Sequence, residues 1–459
     1  MRVFGYSLLS ALIFTACVST QDPEGADDEI LVEDFEIAAK EQLLNKWYPL
    51  SLDHDNGGYY SQITRDFKLG KKQDKMIVTQ ARHIWTNAIA GDIYPEKQMY
   101  LNNAEHGFQF LQDEMWDYVH GGFYNFVTKD GEPVLQPGQE KTAYGNAFAI
   151  YGLAEYYRAS GNQMALELAI NTFYWLEAMA YDPVHKGYFN VLGTDGKPIA
   201  RTPEWPSTSD VGYKDQNSSI HILEAFTTLY EVWPDELLRE RLEEMLILVR
   251  DTIITEKGYM NLFFEPNWKP VSFQDRSREE VNKHYYLDHV SFGHDVETAY
   301  LMLEASHALG MDNDSLTLQK GKKMVDHSLR NGWDQETGGF YDGGYYFKGE
   351  DQISILNSRK NWWAQAEGLN TLLIMSRYFP EDERNYRDYF EKQWGYIKKY
   401  IIDDEFGGWY EWGLDKDPEA KEDLKGHVWK ATYHDFRALQ NVIKILREEK
   451  PLPYPGNLK

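Results

Sequence analysis

Charged and hydrogen-bonding residues recur at one place in this sequence, a few residues into stretches that otherwise read as apolar helices. They are Arg82, Tyr144 with Asn146, His221, His294 with Glu297, Trp363 with Glu367, and His434 with Arg437. Apolar helices seldom carry charge without a reason. Within SFGHDVETAY, His294 and Glu297 stand three apart, which places imidazole and carboxylate on one helical face. Three chemistries compete for such groups. A zinc site wants at least three converging ligands, and His221, His294 and His434 from distant segments are the only set of that kind. Glycoside hydrolysis needs two carboxylates facing each other across a bond; Glu297 and Glu367 could serve, but three histidines are then unexplained. Proton abstraction near neutral pH suits histidine, whose unperturbed pKa is about 6.5. The His294–Glu297 pair therefore reads as a base with its orienting carboxylate. Each residue alone has a plainer reading as a satisfied core group, Arg82 and Arg437 as structural partners of carboxylates among them. Their common level is what argues for a shared site. His106, His307 and His327 fall at outer or late helical positions and read as solvated or structural, and His83 points away from the face of Arg82.

The elements that must position these residues are repeats. A glycine followed by two aromatic or apolar residues, mostly with an Asp a few positions before it, occurs in DHDNGGYY, DYVHGGFY, DPVHKGYF, TEKGYM, DQETGGFY and DDEFGGWY. The shared glycines, Gly58, Gly122, Gly187, Gly258, Gly339 and Gly408, are separated by 64, 65, 71, 81 and 69 residues. Before each lies an amphipathic helical stretch such as VEDFEIAAKEQLLNKWY or NYRDYFEKQWGYIKKYI, with apolar residues spaced at three and four. After each comes a short extended segment, often closed by a turn such as TKDGEP or GTDGKP, which predicts a β-hairpin loop. A second helix follows, apolar around most of its circumference and so buried on most sides. An open solenoid would need polar caps at its ends. The last copy has none, so the six pairs are expected to close into an all-α (α/α)6 toroid, a single domain over residues 33–450, with 451–459 as a tail. The starts of the inner helices then crowd around one end of a central cavity, where the residues named above lie.

Charge and composition limit the partners. With 73 acidic and 47 basic residues the net charge is -26, which argues against nucleic acid or an anionic membrane surface. Aromatic residues make up 15% of the chain, with 14 Trp and 32 Tyr, which suits a site that stacks on flat apolar faces such as sugar rings. Residues 1–17, MRVFGYSLLSALIFTAC, read as a signal peptide. The one cysteine, Cys17, excludes a disulfide within the chain and a thiolate metal site. Its place after Phe-Thr-Ala resembles a lipoprotein box, with Phe14 where Leu is usual, so lipidation of Cys17 is expected. Residues 18–32, polar and acidic, read as a flexible tether. An extracytoplasmic protein, periplasmic or held to the membrane by an N-terminal lipid, follows from these features.

The segments TQARHIW, KTAYGNAFAIYGLAEY, DQNSSIHILEAF, SFGHDVETAYL, NWWAQAEGLN and WKATYHDFRA together resemble the N-acylglucosamine 2-epimerase superfamily, most closely its cellobiose 2-epimerase branch. The resemblance runs through the whole chain after the leader and implies the (α/α)6 fold, a monomer, no cofactor and no metal. It implies that His294 and His434 are the acid/base pair, that His221 is a third active-site histidine, and that Arg82 holds the oxygen that gains charge. Tyr144, Asn217, Glu297, Trp363, Glu367 and Trp429 match positions that bind or orient the sugar. The implied reaction inverts C2 at the reducing end of a β-1,4-linked disaccharide through a cis-enediolate. Mannobiose, N-acylglucosamine or mannose as substrate, aldose–ketose isomerisation, a glycoside hydrolase and a non-catalytic sugar-binding lipoprotein are the competing readings.

Overall fold

The computed structural model describes residues 23–311 and 314–447. Helices alternate between two kinds of surface, as the periodicity predicts. The odd-numbered ones are outer: α1 (Pro23–Ile37, continued through a π-helical stretch to Trp47), α3 (Lys97–Phe110), α5 (Gln163–Met179), α7 (Glu236–Leu248), α9 (Ser315–Asn331) and α11 (Tyr386–Tyr400). The even-numbered ones are inner: α2 (Ile77–Ile93), α4 (Ala143–Ser160), α6 (Gln216–Val232), α8 (Phe292–Ala308), α10 (Trp362–Tyr378) and α12 (His434–Leu446). In α4 every residue from Ala143 to Tyr156 is buried, whereas α11 buries one stripe through Tyr386, Phe390, Trp394 and Ile397 and keeps its charged residues outside. Successive inner helices pack side by side, closely enough that a Cβ on Gly152 of α4 would lie 2.6 Å from the Ala81 carbonyl of α2.

The ring closes. Between the last and first repeats, Thr86 donates to the Thr432 carbonyl, Gln440 donates to Tyr94 Oη, and Ile63 bridges to Gly426. Helix α1 fills the outer seam, with Phe35 against Trp394 at 4.4 Å between ring centroids. This corrects the expected tether over 18–32, because the helix already begins at Pro23 and Asp28 pairs with Arg377 and Arg387. Proline at the first helical position with acidic residues soon after is a helix start, and composition alone concealed it. Cys17 and the tail 451–459 lie outside the described residues, and no described helix is long and apolar enough to cross a membrane.

The predicted hairpins exist but are narrow, bridged at Val127–Pro133 and Leu192–Pro198. Their other edge pairs with the strand of the preceding repeat: Lys75 lies opposite Val127, Lys141 opposite Leu192, Lys214 opposite Phe264 and Val290 opposite Gly344. These short strands therefore stitch neighbouring repeats together just before four of the six inner helices start.

In five of the six repeats a buried ion pair anchors the glycine turn. The six repeat glycines all have positive φ, from 64° to 93°, which forms a turn that only glycine adopts without strain. In five repeats the Asp that opens this turn accepts from backbone N–H groups two and three residues ahead with one oxygen, and from a buried lysine with the other. The pairs are Asp53–Lys75, Asp117–Lys141, Asp182–Lys214, Asp334–Lys360 and Asp403–Lys425, at 2.7 to 3.0 Å. Burial pushes these carboxyls up, but lysine and the turn N–H groups outweigh it, holding Asp182 and Asp403 down at about 2. Their contribution to stability is present above the unfolded carboxyl value and is lost as pH falls through the folded one. The fourth repeat has Thr255 and Val290 at these two positions, so both charges were lost together, as the cost of one unpaired buried charge requires. Chemical denaturation should show Lys214→Val destabilising the protein by about 3–5 kcal/mol, with the double change Asp182→Thr, Lys214→Val losing clearly less. A double variant at least as unstable as the single one would contradict this reading.

Candidate active site

Side-chain caps fix the first turns of two inner helices. Thr142 accepts from Gly145 N ahead of α4, and Asp215 accepts from Ser218 N ahead of α6, which sets the orientation of Tyr144 and Asn217 on the next residues. Ser291 occupies the same capping position for α8 but its hydroxyl does not cap. It lies 2.8 Å from Nδ1 of His294 instead.

Around the axis the sequence-predicted residues form one contiguous network. Arg82 donates from Nη1 to the Trp429 carbonyl at 3.0 Å and from Nη2 to Tyr144 Oη at 3.2 Å, and its buried Nε has no protein acceptor among the described residues. The Tyr144 ring meets His221 at 5.3 Å between centroids and Trp429 at 6.4 Å. The Trp363 indole has His294 at 4.6 Å and His434 at 6.0 Å, so two imidazoles from different repeats meet at one indole. Toward solvent, a cavity of about 550 Å³ is lined by Tyr144, Asn217 and Trp429 of the predicted set together with Trp205, Asp210 and Tyr286. Trp429 and Tyr286 stand at its rim, 47% and 61% exposed.

Beneath the histidines lies a charged cluster. Nδ1 of His434 is 2.6 Å from Glu367 Oε1, and Nδ1 of His221 is 2.8 Å from Glu224 Oε2. Arg437 joins the carboxylates: Nη2 donates to Glu297 and Glu367 at 2.6 Å each, and Nη1 donates to Glu224 and to Tyr433 Oη. Tyr300 donates to the other oxygen of Glu367. Glu297 therefore does not orient His294 as the spacing suggested. The imidazole turns back toward the start of its helix and meets Ser291, while the carboxylate one turn deeper reaches the axis. The orienting carboxylate for His434 comes from the neighbouring repeat.

The electrostatics follow from burial. Desolvation holds all three histidines below 6.5; for His294 the neighbouring imidazoles add to it, and for His434 the Arg82 and Arg437 guanidinium groups do. At neutral pH they are uncharged and able to accept a proton. Burial and the adjacent Glu367 push Glu297 up to about 8, against the pull of Arg437. The Glu224 carboxyl stays low, because Arg437 and His221 outweigh its burial.

Glu297, Glu367 and His434 are near enough to ligate a metal ion. The guanidinium of Arg437 already supplies the positive charge between the two carboxylates, and a divalent ion would have to displace it. The same contact answers the hydrolase reading: Glu297 and Glu367 meet on one nitrogen below the histidines and do not face each other across open space. Asn146 is not in the site. Its amide clamps Phe123 and Thr142, as Gln80 clamps Tyr59 and Gln365 clamps Phe340. His106 binds the Gly58 carbonyl, His327 lies against Tyr346 Oη, and His83 stacks on Tyr59. Glu224, Ser291, Tyr300 and Tyr433 were not anticipated. Glu224 was legible, since His221 and Glu224 repeat the spacing of His294 and Glu297.

Comparison with known proteins adds relatives to this geometry. A cellobiose 2-epimerase of Bacteroides fragilis is 29% identical over 420 residues, covering 89% of this chain and 98% of its own. A D-mannose isomerase of Thermobifida fusca is 24% identical over 342 residues, 73% of this chain and 76% of its own. The solved cellobiose 2-epimerase of Spirochaeta thermophila superposes with a TM-score of 0.77 at 27% identity, over 92% of this chain and 98% of that one. The family model for N-acylglucosamine 2-epimerase matches residues 58–438, and the chain belongs to that family.

Proposed function

We propose that the protein inverts C2 of the reducing-end sugar of a β-1,4-linked disaccharide, with cellobiose as substrate and glucosyl-mannose as product. The observation that carries this reading is the pair of uncharged imidazoles, His294 and His434, brought from different repeats against the same Trp363 indole. Inversion needs a proton to leave one face of a carbon and another to arrive at the opposite face, and two bases from different repeats meet that need.

The chemistry runs as follows. The sugar opens, with His221 assisting at the ring oxygen, and exposes an aldehyde that makes the C2 proton acidic. One of the two histidines takes that proton, and the C2–H bonding pair moves into a cis-enediolate whose charge builds on oxygen. Arg82, with an uncommitted buried Nε, stabilises that oxygen in a site shielded from water. The other histidine takes up one proton from solvent on Nε2 as the sugar binds, delivers it to the opposite face of C2 and restores the aldehyde, while the first keeps the abstracted C2 proton as its imidazolium until product leaves. Glu367 supports a positive charge on His434 while it holds the proton, and Ser291 can either donate to or accept from His294. Trp429, Tyr144, Asn217 and Trp205 at the mouth suit a second, non-reducing sugar.

Cellobiose incubated with the protein in deuterated water should give glucosyl-mannose labelled at C2, read by NMR, and His294→Ala or His434→Ala should each lower kcat by about 10²–10⁴. Label at C1 in a ketose product would instead mark an aldose–ketose isomerase, and release of glucose a hydrolase. Substantial turnover in either alanine variant would end the two-base account.

We also propose, from residues 1–17, that the protein is exported and lipid-anchored at Cys17. Cells fed labelled palmitate should label the wild-type chain and not Cys17→Ser; equal labelling of both would rule the anchor out.

A further inference from the structure

The ring has a second cavity, at the opposite end from the catalytic mouth. It measures about 480 Å³ and is walled by the late halves of inner helices α2, α4, α6, α8 and α12, whose early halves carry the catalytic network. On α12, Lys444 at this end is about 15 Å further along than His434. Arg437 forms the partition between the two ends: its Nη atoms face the three carboxylates, and the residue also lines the far cavity.

Four features describe what this cavity would hold. Arg437 is 3% exposed and spends its Nη atoms on the carboxylates and on Tyr433 Oη, so it closes the floor of this cavity. Trp85 and Tyr151 stack at 5.7 Å and 20° and give one apolar wall. Thr228 and the Arg158 guanidinium, which pairs with Glu155 and Glu231, supply hydroxyl, cationic and carboxylate groups to the lining. Arg437 is already committed to the three carboxylates of the partition, so at this end Glu155, Glu231 and Glu304 are set against Arg158 and Lys444, which favours a neutral ligand over an anion. The volume lies within the range of small-molecule pockets.

We propose that this far-end cavity is a second binding site, for a small neutral polyol such as a sugar alcohol or a hexose. Ligand hydroxyls donate to the carboxylates of Glu155 and Glu231, and the C–H face lies on Trp85 and Tyr151. None of these groups except Arg437 takes part in the proposed reaction, and the partition keeps the two ends separate.

The test uses D-glucitol, which has no anomeric carbon and cannot be epimerised. Calorimetric titration into the wild-type protein should show binding that survives Trp429→Ala at the catalytic mouth and weakens at least tenfold in Thr228→Trp, which fills the far cavity. Glu231→Ala, a half-exposed rim position where the fold is not at stake, should weaken it at least threefold and serves if Thr228→Trp does not fold. Binding lost in Trp429→Ala, binding unchanged in the far-end variants, no binding at all, or binding of sulfate in place of glucitol would each overturn the proposal.

Discussion

The guanidinium of Arg437 is shared by carboxylates from three other repeats, and two of the three active-site histidines, His221 and His434, stand on that contact. Glu224 holds His221, Glu367 holds His434, and both hold Arg437. Three carboxylates around one arginine would leave excess negative charge in a site closed to solvent. The upward push on Glu297 relieves it, since a protonated Glu297 leaves one cation between two carboxylates. Removing the arginine would strand buried charges at a cost of several kcal/mol, so the cluster fixes geometry as well as charge. It also sets the tautomers: an imidazole whose Nδ1 donates to a carboxylate keeps Nε2 as its basic atom.

The same device, a buried cation satisfied by carboxylate and backbone, recurs outside the catalytic layer. Five Asp–Lys pairs tie five of the six glycine turns to the chain that leads into an inner helix, and in four of them the lysine lies within two residues of the helix start. The site is built on those starts. The fourth repeat replaces the pair with Thr255 and Val290, and Val290 packs with Phe292 and Tyr346 beside His294. There the cap itself changes role, because Ser291 gives its hydroxyl to the histidine. The repeat that relinquished the structural ion pair is the one whose helix start serves the site most directly.

The periodic features were legible in the sequence, and the contacts between repeats were not. Glycine spacing and two kinds of amphipathicity gave the ring, and the common level of Arg82, His221, His294 and His434 gave the site. Reading failed where a partner had to come from another repeat. His294 and Glu297 are neighbours on one helix, yet their partners are Ser291 and Arg437. A three-residue step from first to second turn recurs in His221 with Glu224, His294 with Glu297 and His434 with Arg437. Spacing within a helix shows that the second residue lies one turn deeper, but only packing across the ring decides which charge it meets. The helix from Pro23 was missed for another reason, because an acidic, proline-containing stretch serves equally well as a helix start or as a linker until a basic partner such as Arg387 is in place.

The central claim is that buried carboxylates anchor two uncharged histidines through Nδ1 and leave Nε2 free for the sugar. Nitrogen-15 NMR of the imidazole rings in the ligand-free protein tests it most directly. The account predicts neutral rings for His221 and His434 at pH 7, protonated on Nδ1 and not on Nε2, and still neutral when the pH is lowered through 6.5. Rings that carry two protons at pH 7, or a proton on Nε2 with Nδ1 bare, would contradict it.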